Sequence, residues 1–155
     1  MHLAPQTTMN TMPDRKKCAR VIGDRIVPCS WVLAPGDSMA TAFELMREHS
    51  IRHVPVVQDG EIVGIVSERD LNTFRNLRNA DPRKVSLLEA MTAPAYTVSP
   101  DTPLAEVARV MAYNKYGAAV VARGRRIVGV FTTTDALCEL ARLLEGHSDF
   151  PPTRC

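Results

Sequence analysis

Residues 51–71 read IRHVPVVQDGEIVGIVSERDL, and residues 116–137 answer with YGAAVVARGRRIVGVFTTTDAL. In the first stretch two nearly continuous apolar runs, Val54 to Val57 and Ile62 to Val66, flank a Gly-containing turn. Short β-branched runs bounded by turn residues predict an antiparallel hairpin, and the absence of polar alternation predicts burial on both faces. The second stretch predicts the same for Ala118 to Val121 with Ile127 to Phe131. Each hairpin ends in a glycine, two apolar residues, a hydroxyl and, three positions on, an aspartate: Gly64, Ser67 and Asp70, then Gly129, Thr132 and Asp135.

The repetition extends outward on both sides. Pro35 and Pro100, Met46 and Met111, and the three motif pairs are each 65 positions apart. Matching Val56 to Val120 drops the offset to 64, restored by one extra turn residue where QDGE becomes ARGRR. Upstream, a short β stretch (Trp31 to Leu33; Tyr96 to Val98) enters a Pro-containing turn in which Asp37 or Ser38, and Asp101 or Thr102, can cap a helix. Apolar residues three or four apart give that helix one buried face: Ala42, Leu45 and Met46, then Leu104, Val107, Ala108 and Met111. Downstream, a second helix offers Leu71, Phe74 and Leu77, or Ala136, Leu137, Leu140 and Leu143. Each copy is β-α-β-β-α, and the fold class is α/β. A unit of about 60 residues encloses little interior, so two copies are expected to pack together and share a core.

The expected domain limits are repeat 1 at 19–79 and repeat 2 at 80–145, with a disordered extension at 1–18 and a flexible tail at 146–155. In the connection RNADPRKVSLLEAM, Asp81-Pro82 is expected to end the preceding helix and SLLEAM to begin a short new one.

Composition narrows the function. A net charge of +2 over 155 residues falls short of the basic stripe that neutralises several phosphates of a nucleic acid. No apolar run approaches a membrane span of roughly 18 to 20 residues, and the N-terminus has no apolar signal core, which points to a cytoplasmic protein. Cys18, Cys29, Cys138 and Cys155 form no CxxC pair and no metal-ligand spacing with the histidines, so reduced thiols and no metal site are expected. There is no Walker loop, GxGxxG or nucleophile elbow, and no enzymatic activity is expected.

The repeated motif has two readings. A hydroxyl at the strand-to-helix junction caps a helix whose open N–H groups and partial positive charge favour a phosphate. An aspartate in the first turn can accept two hydrogen bonds from a ribose diol, so hydroxyl and acid together describe a ribonucleotide site. The same S-x-x-D and T-x-x-D are equally ordinary capping boxes with Asp in place of Glu, which need no ligand.

At these residues the sequence resembles the cystathionine beta-synthase (CBS) domain family, over both copies from about Val21 to Leu144. The resemblance is carried by IRHVPVVQDGEIVGIVSERDL, with Pro55 and Gly60, and by MTAPAYTVSPDTPLAEVARVM. It implies a tandem pair, the Bateman module, packed around a pseudo-two-fold axis with two clefts that in many members bind AMP, ADP, ATP or S-adenosylmethionine. Carried over, one site comprises Thr132 and Asp135 with Arg52 and His53 from the other repeat and Tyr96, Thr97 and Val98 beside the base. The other comprises Ser67 and Asp70 with Lys115, Tyr116 and Gly117, and Trp31, Val32 and Leu33.

The two sites differ. Arg52 and His53 favour the Thr132 side for phosphate, and His53 would make that affinity pH-sensitive near its reference pKa of about 6.5. Ala118-Ala119 stands where the first copy is read to have Val54-Pro55, which predicts a different backbone course beside the Ser67 cleft. Arg123, Arg125 and Arg126 are read as a solvated hairpin tip, or a docking patch for an acidic partner. The expected function is a non-catalytic regulatory module, without a cofactor of its own, whose adenosyl ligand alters binding to a partner protein. A homodimer is implied by the resemblance. The alternatives are a ligand-independent dimerisation module and, further off, nucleic-acid binding.

Overall fold

The computed structural model describes residues 20–29 and 31–145, so the expectations for 1–18 and 146–155 lie outside the described residues. Two lobes are built alike. In lobe 1, α1 (Met39–His49) precedes the hairpin β2 (His53–Gln58) and β3 (Glu61–Ser67), followed by α2 (Glu68–Arg78). In lobe 2, β4 (Thr97–Val98) and α4 (Leu104–Asn114) precede β5 (Ala118–Arg123), β6 (Arg126–Thr132) and α5 (Thr133–Glu145). The α/β fold and both hairpins are as the apolar runs predict.

The hairpin registers correct the offset. His53 pairs with Ser67 and Gln58 with Glu61, while Ala118 pairs with Thr132 and Arg123 with Arg126. Both hairpins carry their irregularity at the same place, between Val56 and Val57 and between Val121 and Ala122. The offset is therefore 65 throughout, and Pro55 corresponds to Val120. Asp59 (φ 50°) occupies the left-handed turn position that Gly124 (φ 61°) takes in the second copy, so matching glycine to glycine misplaces the strands by one.

That correspondence explains why β4 exists and its counterpart does not. Val120 N donates to Tyr96 O (2.8 Å), and β4 pairs in parallel with β5. Pro55 has no N–H to give, and the first copy keeps only a single bridge, Leu33 to Val56. The expected strand at Trp31 to Leu33 is reduced to that contact.

The lobes also exchange their leading segments. A 3-10 turn at Ile22–Arg25 and β1 (Val27–Pro28) precede lobe 1 but pack on lobe 2, with β1 antiparallel to β6. Reciprocally α3 (Leu87–Ala90) and Thr92 precede lobe 2 but pack on lobe 1, where Thr92 bridges Ile65. The bonds repeat at the same offset: Ile22 N to Thr102 O (3.0 Å) matches Leu87 N to Asp37 O (2.8 Å). Each lobe thus has its own core, Leu87 lying with Met39, Val54 and Leu71, and Ile22 with Val107, Val121 and Phe131. What the lobes share is a small cluster of Cys29, Ala118 and Val130 against Ile65. Lobe packing and the repeat limits at 19–79 and 80–145 do not coincide.

Capping sets the helix ends. The Ser38 side chain caps α1 through Thr41 N (3.1 Å), whereas Pro103, not Asp101 or Thr102, occupies the cap position of α4 and makes no side-chain bond. Helix α2 stops at Asn79 in the left-handed conformation, before Asp81-Pro82 is reached. Leu77, Leu137, Leu140 and Leu143 face solvent instead of the core, and α5 buries Glu139. Among the described residues no helix is long and apolar enough to cross a membrane.

Candidate functional site

The two repeated motifs sit at equivalent strand-to-helix junctions. Ser67 is extended (φ −113°, ψ 153°), and its Oγ accepts from Asp70 N (3.1 Å) and donates to Asp70 Oδ2 (2.7 Å). Thr132 does the same with Asp135: Oγ1 accepts from Asp135 N (3.3 Å) and donates to Oδ2 (2.7 Å), and Thr132 N adds a further bond to Oδ2 (2.7 Å). The Thr132 motif is a closed capping box, and the Ser67 motif caps its helix through the hydroxyl alone, so the capping reading is realised in full at Thr132 and by half at Ser67. Of the first three N–H groups of each helix, two are already engaged. Glu68 N bonds Arg52 O and Thr133 N bonds Gly117 O, both at 3.0 Å, while the third goes to the cap hydroxyl.

Among the described residues both motifs line one cavity between the lobes, of about 610 Å3. The volume falls within the range of pockets that hold one small organic ligand. Ser67, Asp70, Thr132 and Asp135 all line it, as do Arg52, His53 and Tyr96. Lys115, Tyr116 and Gly117 complete the expected residues found there. Arg52 crosses between the lobes, donating from Nη2 to Thr134 Oγ1 (3.1 Å). His53 crosses as well, its Nε2 so close to Gly117 that a β-carbon there would lie 2.9 Å away.

The lining carries both signs of charge, Arg52, Arg69 and Lys115 supplying cations and Glu68, Asp70 and Asp135 carboxylates. Burial pushes the His53 imidazole below its ordinary pKa, Arg52 and Arg69 push the same way, and Asp70 and Asp135 oppose them. His53 thus feels the carboxylates of both motifs. The expected titration near 6.5 is corrected downward, because desolvation disfavours the imidazolium.

Five expected residues do not line this cavity: Trp31, Val32, Leu33, Thr97 and Val98. Leu33 belongs to the lobe 1 core, and Val98 packs against the lobe 2 core. Thr97 and Val98 are held in register with Val120 and Val121 of β5. Trp31 lies flat on His49, ring centroids 3.7 Å apart and planes at 14°. Ile65, Val130, Pro94 and Thr134 line the cavity without having been expected. Ile65 and Val130 are 65 apart and one residue past each repeated glycine, so the repeat itself contained that signal.

The CBS domain family model matches residues 26–75 and 86–142. Among curated proteins, inosine-5'-monophosphate dehydrogenase of Korarchaeum cryptofilum is 32% identical over 104 residues, 66% of this chain and 21% of that protein. The chain spans less than half the length of the first curated relatives it matches. Among solved structures, AcuB of Vibrio cholerae is 29% identical with a TM-score of 0.73, covering 83% of this chain and 96% of that one. The CBS domain pair of protein MJ0100, solved with 5'-methylthioadenosine and S-adenosyl-L-methionine, is 27% identical with a TM-score of 0.67, covering 82% and 97%.

Proposed function

Because the chain belongs to the CBS domain family, we propose that it is a non-catalytic sensor that binds an adenosyl ligand between its lobes and thereby changes its association with a partner protein in the cytoplasm. The observation that carries this reading is the convergence of both hydroxyl–aspartate motifs on one cavity whose walls come from both lobes. A ligand held there touches both lobes, so it favours whichever lobe arrangement it binds better. The ligand complex of the MJ0100 pair supports an adenosyl compound, the candidates being AMP, ADP, ATP and S-adenosylmethionine. Asp70 and Asp135 serve as diol acceptors after the cap hydroxyls turn from them, and Arg52, Arg69 and Lys115 offset phosphate charge.

A homodimer is part of the same proposal. Leu137, Leu140 and Leu144 form a stripe along α5 and are 66%, 50% and 78% exposed, an apolar helix face suited to a second copy.

The deciding measurement is the melting temperature and calorimetric affinity of the reduced protein with AMP, ADP, ATP and S-adenosylmethionine, repeated for Asp70→Ala and Asp135→Ala. A ligand that binds only the native state raises the melting temperature saturably. Loss of the diol contacts costs about 1 to 3 kcal/mol in the variant of the occupied motif. No shift with any of the four sinks the sensor reading, and stability that then varies only with protein concentration leaves a dimerisation module.

A further inference from the structure

Resting on the adenosyl reading, we infer that the cavity takes one purine-type ring per chain, in one orientation, seated on the Tyr96–Tyr116 pair, and that lobe 1 has no equivalent floor. The two tyrosines stack with centroids 5.5 Å apart and planes at 29°, and both line the cavity. Their backbones are fixed on both sides: Val120 N holds Tyr96 O at 2.8 Å, and Tyr116 N bonds Met111 O at 2.9 Å. Tyr116 is 39% exposed, leaving ring surface open to a planar ligand.

At the pseudo-symmetric positions the floor is dismantled. Tyr116 corresponds to Ile51, whose backbone makes the matching bond to Met46 O (3.0 Å) and which also lines the cavity, but its side chain is aliphatic and only 5% exposed, packed in the lobe 1 core, and offers no ring face. Tyr96 corresponds to Trp31, which Pro55 cannot hold against β2 and which stacks on His49 outside the cavity. The motifs are therefore duplicated while the ring floor is single. A ligand with a ring at one end and an anionic or polar group at the other is oriented by that difference, its polar end toward Arg52 and His53.

The test is calorimetric titration of AMP and 5'-methylthioadenosine into the full chain and into Tyr116→Ala, Tyr116→Phe and Trp31→Ala, each checked for folding by its melting transition. The expected result is one ligand per chain, about five- to hundredfold weaker binding in Tyr116→Ala, and Tyr116→Phe and Trp31→Ala within about twofold of the natural protein, since a stacked base is worth roughly 1 to 3 kcal/mol. Two ligands per chain overturn the inference, as does Tyr116→Phe losing as much as Tyr116→Ala, or Trp31→Ala losing as much as either. Each of those results leaves the sensor reading standing. A natural protein that takes up neither compound overturns this inference, and the sensor reading falls with it only if ADP, ATP and S-adenosylmethionine also fail to bind.

Discussion

Lobe 1 and lobe 2 solve one packing problem with opposite chemistry. In each, the last helix rests on the segment contributed by the other repeat. In lobe 1 Phe74 of α2 and Val85 and Ala90 of that segment all pack against one apolar core. The corresponding residues of lobe 2 are Glu139 of α5, Arg20 and Arg25. Glu139 is only 6% exposed and binds Arg20, Arg25 (3.5 Å) and Arg142 (2.9 Å). An apolar cluster gains from area removed from water, whereas a buried charge is tolerated only while its partners stay in place. One backbone scaffold thus accepts either chemistry, and the cost of damage differs. Glu139→Ala should destabilise the protein by about 3 kcal/mol, the low end for a broken buried ion pair, because it removes the buried carboxylate that Arg20, Arg25 and Arg142 share while Arg20 (40% exposed) and Arg25 (29%) remain in reach of water. Copying lobe 1 into lobe 2, with Glu139→Phe, Arg20→Val, Arg25→Ala and Arg142→Leu together, should by contrast leave stability unchanged or higher. Chemical denaturation of both proteins checks the pair. If the quadruple variant is as damaged as the single one, the equivalence of the two contacts is wrong.

The exchange of leading segments gives the next largest effect. Leu87 is fully buried in lobe 1 although it precedes lobe 2 in the chain. Leu87→Ala should cost about 2 to 4 kcal/mol through the lost side chain and the cavity left behind. Hydrogen exchange should then accelerate first in β2 and β3. Ile22→Ala should instead loosen β5 and β6, and loosening in the lobe adjacent in sequence would contradict the exchange.

A single backbone donor separates the lobes at the cavity wall. Val120→Pro gives lobe 2 the residue that lobe 1 carries at the same register, so the strand should accept it at a cost of about 1 kcal/mol for the lost bond to Tyr96 O. Tyr96 should then leave its place, and AMP affinity should fall by more than the small stability loss accounts for. Unchanged affinity would mean that the strand pairing does not position the ring floor.

The hairpins, helices and both motifs were legible because the apolar runs and the cap residues are local signals. The rest depended on partners remote in sequence. Arg20 and Arg25 share no property with Val85 and Ala90 except their place, so the exchanged segments were invisible to residue similarity. Trp31 and Tyr96 look interchangeable as aromatic strand residues, yet their fates are decided by whether position 55 or 120 carries an N–H. The shared cavity was likewise hidden, since the approach of Arg52 to Thr134 and of His53 to Gly117 arises only when the lobes meet.

His53 offers the finest comparison, because it reports on both motifs at once. Its pKa is lowered chiefly by burial, with Asp70 and then Asp135 pulling the other way. An unfolded chain has this imidazole near its reference pKa of about 6.5 and a lower value when folded. As pH falls below about 6.5 the unfolded state therefore binds more protons, and stability declines, with a slope from this one group of no more than about 1.4 kcal/mol per pH unit. Above that window the effect is absent, and His53→Asn should flatten it. Followed by the NMR shift of the imidazole protons, Asp70→Asn should lower the His53 midpoint further, and Asp135→Asn should lower it less. The reverse order would place His53 closer to the lobe 2 motif. Equal shifts would mean that the cavity treats the two aspartates alike, leaving the aromatic floor as the feature that breaks its symmetry. A bound phosphate raises the same pKa, so AMP should bind more tightly as pH falls toward the midpoint, while 5'-methylthioadenosine, which has no phosphate, should not.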